Sequence, residues 1–280
     1  MHLDTLFSCN SVVWITSLPE DELGPSNRMA ESVEGISTEN FSFIRRCVRR
    51  NSELEQLLNE VAVRAREDGL RPMLVLDMHG HSENGLSVAE PREFVSWERL
   101  AELLREINLA THNNLCVVGA ACYALTAIKS LTVTSPAPFF VLFAPEEEVN
   151  VGFLESNLPK FLEDVFSNGD VDAAYERHLQ ARFKYFHCER LLFIAIARYV
   201  RMACKGKGAA ERRERLMTEV FAAGMPNTPE NRRNVRTKIK NDIRPDQGIL
   251  DRYTATYLIG KAAGFTMDQL LDYVERASTA

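Results

Sequence analysis

The sequence predicts an α/β fold, in which a mostly parallel sheet is flanked by helices and followed by an α-helical region. Four short runs of apolar and β-branched residues in the first half are typical of buried central strands. Helical patterns separate these runs, and strands that alternate with helices form parallel sheets. Beyond Asn150 only helical periodicity is evident. We therefore expect a sheet domain over residues 1–180 and a helical region over residues 181–280.

The first quarter of the chain predicts two strands and one long helix. Residues 11–18, SVVWITSL, are apolar and β-branched and precede a proline, which indicates a buried strand. Residues 19–27 predict a loop. Apolar residues at a three-to-four spacing predict a helix from about 41 to 68, and Gly69 is a typical C-terminal stop. Residues 72–78, PMLVLDM, are nearly all apolar, as expected of a strand covered on both faces.

The alternation continues through the middle of the chain. Residues 86–90 predict a short strand. Residues 96–109 predict a helix whose first residue, a serine, is a good N-cap because its hydroxyl satisfies a free backbone N–H. Residues 115–121 predict a third buried strand, 123–131 a short helix and 138–145 a fourth strand. No further strand is expected after these segments.

Composition narrows the class of protein. The chain has 280 residues, a net charge of −6, 45% apolar and 26% charged residues, which is ordinary for a globular protein. No apolar run reaches the roughly 18 residues that cross a bilayer, and no basic segment precedes an apolar core at the start. Six scattered cysteines without a C-x-x-C pair fit neither a zinc ribbon nor a disulfide framework. We expect a cytoplasmic protein with free thiols, no cofactor and no membrane contact.

Two candidate catalytic residues directly follow predicted strands. His79 comes after residues 72–78, and Cys122 comes after residues 115–121. Ligands of parallel sheets bind beyond the carboxyl ends of the strands, so both side chains would emerge at one edge if these strands are neighbours. An imidazole beside a thiol is what a cysteine nucleophile needs. Gly80 allows close approach of a substrate carbonyl, and the N–H groups of Gly80 and Cys122 would form an oxyanion hole.

Together these residues resemble the caspase-like (clan CD) cysteine peptidases, which include caspases, metacaspases and CHAT peptidases. In that family an apolar strand ends in His-Gly, a turn with another glycine and a helix follow, and a later apolar strand ends in the catalytic cysteine. Here the corresponding stretches are MLVLDMHGHSENGLSV, SWERLAELLREIN and LCVVGAACYA. His79 precedes Cys122 by 43 residues, near the spacing of about 50 in caspases. The resemblance covers about residues 11–180 and implies a caspase-like sheet.

The resemblance also implies an activity. It makes the chain a cysteine endopeptidase acting on a polypeptide, with Cys122 as nucleophile and His79 as acid/base. It implies a latent enzyme that a signal or partner switches on, since bacterial members occur in signal-gated defence systems. The sequence departs from the family at Ala120, where metacaspases carry an aspartate, and it lacks the caspase Gln-Ala-Cys-x-Gly signature. The preferred P1 residue is therefore open.

Four further residues are candidates for substrate binding. Asp77 and His81 flank His79 on the same segment. Glu146 and Glu147 begin an acidic stretch after the fourth predicted strand, where substrate-pocket loops fall in the resembled family, and they would favour a basic P1 residue. Each has a simpler interpretation: Asp77 orients His79 or caps the next turn, His81 lies in a surface turn, and the glutamates form a solvated turn.

Metal chemistry is the main alternative interpretation. Asp77-x-His79-x-His81 at a strand end has the spacing that amidohydrolases use for two zinc ligands. A catalytic zinc site needs about three protein ligands and a water, and the amidohydrolase fold needs eight βα units, which this chain does not supply. A third interpretation is a binding module without catalytic activity on the same fold.

The C-terminal region has a basic character that contrasts with the acidic chain as a whole. Between residues 201 and 244, Lys and Arg outnumber Asp and Glu. The candidates for binding an anionic ligand are Arg212, Arg213, Arg232, Arg233, Arg236 and Lys238. We expect a regulatory or oligomerisation region that binds an anionic small molecule such as a nucleotide, a protein regulator or a second copy of the chain. A set of solvated helix faces is the simpler interpretation.

Overall fold

A computed structural model of the chain describes residues 5–36, 41–88 and 93–279. Its centre is a mixed sheet with the strand order β2-β1-β3-β6-β7-β8, to which β4 and β5 are attached. The strands are β1 (Ser11–Ser17), β2 (Ser42–Cys47), β3 (Pro72–His81), β4 (Gly85–Val88), β5 (Glu93–Val95), β6 (Cys116–Ala120), β7 (Val141–Pro145) and β8 (Phe183–His187). From β2 to β7 the neighbours in this order are parallel, and β8 is antiparallel to β7.

Helices flank this sheet and follow it, so the predicted fold class is confirmed. The α-helices of the described residues are α1 (Leu23–Glu34), α2 (Asn51–Glu67), α3 (Trp97–Ala110), α4 (Val151–Asn168), α5 (Val171–His178), α6 (Cys188–Tyr199), α7 (Gly206–Ala222), α8 (Pro229–Asp242), α9 (Gln247–Tyr257) and α10 (Met267–Thr279). Helix α2 packs along α3, and α1 packs along α4, which also contacts α5. None of the helices in the described ranges is both long and apolar enough to cross a bilayer.

The central strands are buried as their composition predicts. Every residue of β1, β6 and β7 is buried, and so are the first seven residues of β3. Burial on both faces removes the need for polar alternation, which explains the nearly continuous apolar runs. Helix α3 begins as predicted, because the Ser96 hydroxyl accepts a hydrogen bond from the Arg99 N–H at 3.2 Å.

Three element predictions are wrong. The predicted loop at residues 19–27 contains the start of α1, which carries Pro25 in its first turn, where a missing N–H costs nothing. The helix predicted from residue 41 is preceded by β2, an edge strand with partly exposed side chains and no apolar run. The strand β8 lies in the part predicted to be entirely helical. It is the opposite edge strand, and its mixed sequence, FKYFH, gives a weak strand signal.

The C-terminal helices divide into two packing groups. Residues of α6, α9 and α10 belong to the same apolar core as the sheet. A separate small cluster, made of Met217, Val235, Ile239 and Ile243, joins α7 to α8. Because β8 also lies beyond residue 180, the sheet and its core extend into the region predicted to be helical only.

Candidate active site

The two candidate catalytic residues meet because β3 and β6 are neighbours. The strands pair in parallel, with Asp77 opposite Ala120 at the carboxyl end of the ladder. His79 and Cys122 therefore emerge at the same edge of the sheet, and both line a cavity of about 370 Å³. We call it the carboxyl-edge cavity. Its remaining walls come from the residues after β1, from α1 and from the start of α4.

Gly80 has a structural requirement at this site. A methyl group on its Cα would lie 1.9 Å from the carbonyl oxygen of Cys122 and 3.3 Å from the Cys122 nitrogen. The first distance is too short for any side chain, so the position needs glycine. The backbones of Gly80 and Cys122, the predicted pair of oxyanion donors, consequently lie against each other.

The Cys122 thiol is half-buried and contacts the loop after β7. The Val149 N–H donates to the sulfur at 3.4 Å, and the thiol lies 3.7 Å from the Val149 carbonyl oxygen. The next residue, Tyr123, has the left-handed conformation with φ 61°, and its N–H bonds to the Glu147 carbonyl at 3.1 Å. Three contacts with one loop thus fix the turn that carries the thiol.

His79 is half-exposed, and its imidazole is held by a carboxylate. The Nε2 atom lies 2.7 Å from Oε2 of Glu22, with 54% of the histidine side chain and 47% of the glutamate side chain accessible. His79 and Cys122 both belong to the described part of the chain, and no hydrogen bond joins their side chains. The imidazole is therefore oriented by Glu22 rather than by the thiol in this structure.

Asp77 is a buried acid in the wall of the same cavity. It is 3% exposed, and its Oδ2 accepts hydrogen bonds from Trp14 Nε1 at 3.1 Å and from the Ser26 hydroxyl at 2.5 Å. Burial raises the pKa of this carboxyl above its ordinary value, while the bonds from Ser26 and Trp14 act in the opposite direction. The aspartate is thus fixed in position by β1 and α1.

The carboxyl-edge cavity is acidic. Asp21, Glu22 and Asp77 line it, and its described lining includes no lysine or arginine. Leu18, Met29 and Leu154 add apolar surface. A cavity with three carboxylates and apolar walls fits a side chain that has an aliphatic stem and a cationic end.

The other predicted substrate-binding side chains do not line this cavity. His81 ends β3, and its Nδ1 accepts from the N–H groups of Glu83 and Asn84 in the turn to β4, at 3.2 and 3.3 Å. Glu146 and Glu147 are exposed on the loop after β7, which contributes Val149 to the cavity. Neither glutamate is among the residues that line the cavity.

The structure does not assemble Asp77, His79 and His81 into one ligand set. Asp77 bonds to residues of α1 and β1, and His79 bonds to Glu22. His81 bonds to the backbone of the β3–β4 turn. Across residues 5–36, 41–88 and 93–279, no three His, Cys, Asp or Glu side chains are arranged to hold a metal ion.

The basic candidates of the C-terminal region lie on α7 and α8, away from the carboxyl-edge cavity lining. Arg236 pairs with Glu214 at 3.0 Å, and Arg213 lies 3.7 Å from the same carboxylate. Arg212 covers the ring of Tyr199 at 5.3 Å, and Arg232 donates to Asn227 at 2.6 Å. Arg233 and Lys238 are exposed on α8. Part of this positive charge is therefore already engaged within the helical region.

Sequence reasoning missed three residues of the site. Glu22, Ser26 and Trp14 come from β1 and from the segment predicted to be a loop. The signal for Glu22 is the acidic stretch directly after the first predicted strand. If β1 and β3 are taken as neighbours, the residues that follow them must meet at one edge.

No protein-family model matches the chain, and no curated protein sequence is significantly similar to it.

Proposed function

We propose that the protein is a cysteine endopeptidase of caspase-like type, with Cys122 as the nucleophile and His79 as the acid/base. One observation carries this proposal. The two residues are 43 positions apart in the sequence, yet they lie just beyond the parallel ladder that joins the neighbouring strands β3 and β6, and they line one cavity. A thiol and an imidazole at the carboxyl edge of such a sheet supply the two groups that thiol-dependent acyl transfer needs.

The proposed reaction has two stages. His79 takes the thiol proton, the Cys122 sulfur attacks the carbonyl carbon of the scissile bond, and the protonated imidazole gives its proton to the leaving amine. Water, deprotonated by His79, then attacks the resulting thioester and releases the acid product together with the free thiol. The N–H groups of Gly80 and Cys122 would stabilise the oxyanion in both stages. Glu22 would orient the imidazole and stabilise its charged form, as the acid of a triad does.

The acidity of the carboxyl-edge cavity supports a basic residue at P1. Asp77 lies in the wall, and Asp21 and Glu22 line the same space. An arginine or lysine side chain there would place its cation near Asp77 and counteract the effect of burial on the pKa of that carboxyl. The basic preference first expected from Glu146 and Glu147 is thus assigned to other carboxylates.

The contacts of the two catalytic groups support a latent state. His79 is engaged by Glu22, and the Cys122 thiol is engaged by the Val149 backbone. Catalysis requires the imidazole to come within hydrogen-bonding distance of the thiol, about 3 Å or one bridging water. A signal or partner that shifts the Val149 loop would free the thiol to approach the imidazole that Glu22 holds.

Cleavage of a peptide library by the full chain tests the proposal, with product masses as the readout. We expect cuts after Arg or Lys that fall by about 1,000-fold or more in Cys122→Ala and His79→Ala. Cys47→Ala and His81→Ala are matched controls, since Cys47 is an exposed thiol at the end of β2 and His81 is two residues from His79. These controls should retain activity.

Two results would count against the thiol mechanism. Cleavage that survives both Cys122→Ala and His79→Ala would remove the dyad from the reaction. Activity abolished by a chelator but resistant to iodoacetamide would favour the metal-dependent alternative.

A further inference from the structure

A second and larger cavity lies at the opposite edge of the sheet. Its volume is about 990 Å³. We call it the amino-edge cavity, because its walls include the ends of α2 and α3 and the loops that lead into β3 and β6. The segment between α9 and α10, residues 259–261, completes it. The cavity thus joins the sheet to the C-terminal helical region.

The charges of the amino-edge cavity are cationic. Arg66, Arg71 and Lys261 line it together with His112, and its described lining contains no aspartate or glutamate. None of the three cations forms a salt bridge with a described carboxylate; Arg71 donates to the Ser8 hydroxyl at 3.1 Å. On a chain with a net charge of −6, three cations around one space that form no salt bridge with a described carboxylate make a local site for an anion.

The partial negative charges at the C-terminal ends of α2 and α3 offset only part of this positive charge. Each helix C-terminus carries a partial charge of about −0.5, so two of them offset about one of the three cations. A net positive charge of about two therefore remains on the groups that line the cavity; Glu189, whose charge acts on Lys261, is not among them.

Lys261 is the most constrained of these cations. It is half-buried, with Nζ 3.3 Å from the ring centre of Phe140 and 3.1 Å from the Leu6 carbonyl oxygen to which it donates. Burial lowers the pKa of this amine. The charge of Glu189 acts in the opposite direction to burial. A bound anion would add to the stabilisation that the charged form receives from Glu189, the ring face and the carbonyl.

The shape and the apolar walls indicate the size of the ligand. Leu70, Leu109, Ala110 and Ile259 provide hydrocarbon surface beside the cations. The volume is at the upper end of the range of about 300–1,000 Å³ that is usual for small-molecule sites. Ile259 has φ 57°, a left-handed conformation that is strained for a β-branched residue and is concentrated at functional sites.

We propose that the amino-edge cavity binds a phosphorylated small molecule of nucleotide size, with its phosphates on Arg66, Arg71 and Lys261 and its less polar part against Leu70 and Ile259. This site differs from the basic surface of α7 and α8, where Glu214 and Tyr199 already contact several of the cations. It also differs from the carboxyl-edge cavity, from which it is separated by the length of β3, about 23 Å between Pro72 and His79.

Calorimetric titration of the full chain tests this site without any need for peptidase activity. The probes are ATP, inorganic pyrophosphate and adenosine at low ionic strength. We expect ATP to bind, pyrophosphate to bind more weakly because it lacks the apolar part, and adenosine not to bind. Arg66→Gln and Lys261→Gln should each weaken ATP binding by about 10-fold or more, since each removes a charge-assisted hydrogen bond.

Arg64→Gln is the matched control. It lies on the same helix, pairs with Asp68 at 3.7 Å and does not line the cavity, so ATP binding should be unchanged. Arg66 is exposed, so its variant keeps the test valid even if Lys261→Gln does not fold.

Three outcomes would overturn the proposal. The first is that the wild type binds neither ATP nor pyrophosphate. The second is that Arg66→Gln and Lys261→Gln bind ATP as well as the wild type does. The third is that a single-stranded RNA oligonucleotide binds the cavity more tightly than ATP does and loses this binding in the same variants, which would identify a macromolecular ligand instead.

Discussion

The two edges of the sheet carry opposite charges although the same two strands connect them. At the carboxyl edge, a cavity of about 370 Å³ is lined by three carboxylates and by the His79–Cys122 pair. At the amino edge, a cavity of about 990 Å³ is lined by three cations. Strands β3 and β6 begin at the second cavity and end at the first. One scaffold therefore supports two sites of different chemistry, and neither is an extension of the other.

Some of the charges at the two edges stabilise helix ends, and others do not. Acidic residues precede α1 at the carboxyl edge, and cations lie in the last turn of α2 at the amino edge, as helix dipoles favour. Asp77 and Lys261 are different. Asp77 is buried on a strand, and Lys261 is half-buried over an aromatic ring, so neither is needed to stabilise a helix end. The charges of these two residues are therefore better explained by ligand binding than by the stabilisation of helix ends.

Backbone strain is concentrated at the same two edges. In the described residues, the non-glycine positions with positive φ are His112, Asn113, Tyr123 and Ile259. Tyr123 follows Cys122, while His112 and Ile259 line the amino-edge cavity. Strained conformations persist only where the surrounding structure enforces them, and they are common at functional sites.

The largest change that should affect the carboxyl edge and leave the amino edge intact is expected at Gly80. In Gly80→Ala the new methyl group collides with the Cys122 backbone, so the carboxyl edge must shift and peptide cleavage should fall by about 1,000-fold. ATP binding at the amino edge should persist. The control is Gly152→Ala in α4, where a methyl group meets only the Asn150 side chain at 3.5 Å and activity should be retained. Equal activity of the two variants would contradict the close approach.

The next effect is a pH dependence of stability that originates at the amino edge. His187 ends β8 opposite Val141, the first residue of β7, and burial lowers its pKa to about 4, helped by the charges of Lys261 and Arg190. Its ordinary value is 6.5, so the unfolded chain binds the proton first. The free energy of unfolding should fall by about 3 kcal/mol as the pH drops from 6.5 to 4.

Chemical denaturation at several pH values measures this slope. His187→Asn is a suitable variant, because the His187 side chain caps α6 by accepting from the Glu189 N–H, and asparagine caps helices equally well. The variant should lose most of the slope. An unchanged slope would show that His187 is not the group responsible.

A smaller effect tests whether Asp77, at the carboxyl edge, determines the preference for a basic P1 residue. Asp77→Asn keeps the shape and an oxygen acceptor for Ser26 and Trp14 but removes the charge. Preference for Arg over a neutral P1 residue should fall by about 30-fold, with little change in melting temperature. Asp77→Ala, which leaves two buried donors unpaired, should instead destabilise the fold. If Asp77→Asn retained full preference, the P1 assignment would fail.

The smallest effect is expected at Glu22. Its ion pair with His79 is about half-exposed, so Glu22→Gln should change the free energy of unfolding by less than about 1 kcal/mol. The kcat should fall by about 10-fold, since a neutral amide replaces the carboxylate that holds the imidazole and stabilises its protonated form. A steady-state comparison with Asp21→Asn, a neighbouring carboxylate without a bond to His79, separates orientation from general loss of negative charge. Similar losses in both variants would contradict an orienting role.

The sequence predicts the parts of the fold that are buried on both faces. β1, β3, β6 and β7 are apolar runs, and their carboxyl ends give the positions of His79 and Cys122. The edge strands β2 and β8 escape prediction because one of their sides lacks a neighbouring strand, so their side chains are mixed.

Long-range contacts set the remaining limit on prediction. Glu22 reaches His79 only because β1 lies beside β3, an order that no local pattern specifies. The amino-edge cavity combines Arg66 with Lys261 across most of the chain. Neither residue is part of a motif, so only the folded structure brings them together.

The central claim, that Cys122 is the activated thiol of the carboxyl edge, is tested most directly by competition among the cysteines. A peptidyl chloromethyl ketone with arginine at P1 is added to the full chain, and peptide masses locate the adduct over time. Burial raises the pKa of Cys9 to about 11 and of Cys188 to about 12, so both serve as unreactive internal references. Cys47 is exposed, whereas Cys122 is half-buried.

The account predicts that Cys122 reacts before Cys47, that His79→Ala removes this advantage and that His81→Ala does not. Labelling that follows exposure alone, with Cys47 reacting first and Cys122 insensitive to His79→Ala, would contradict it.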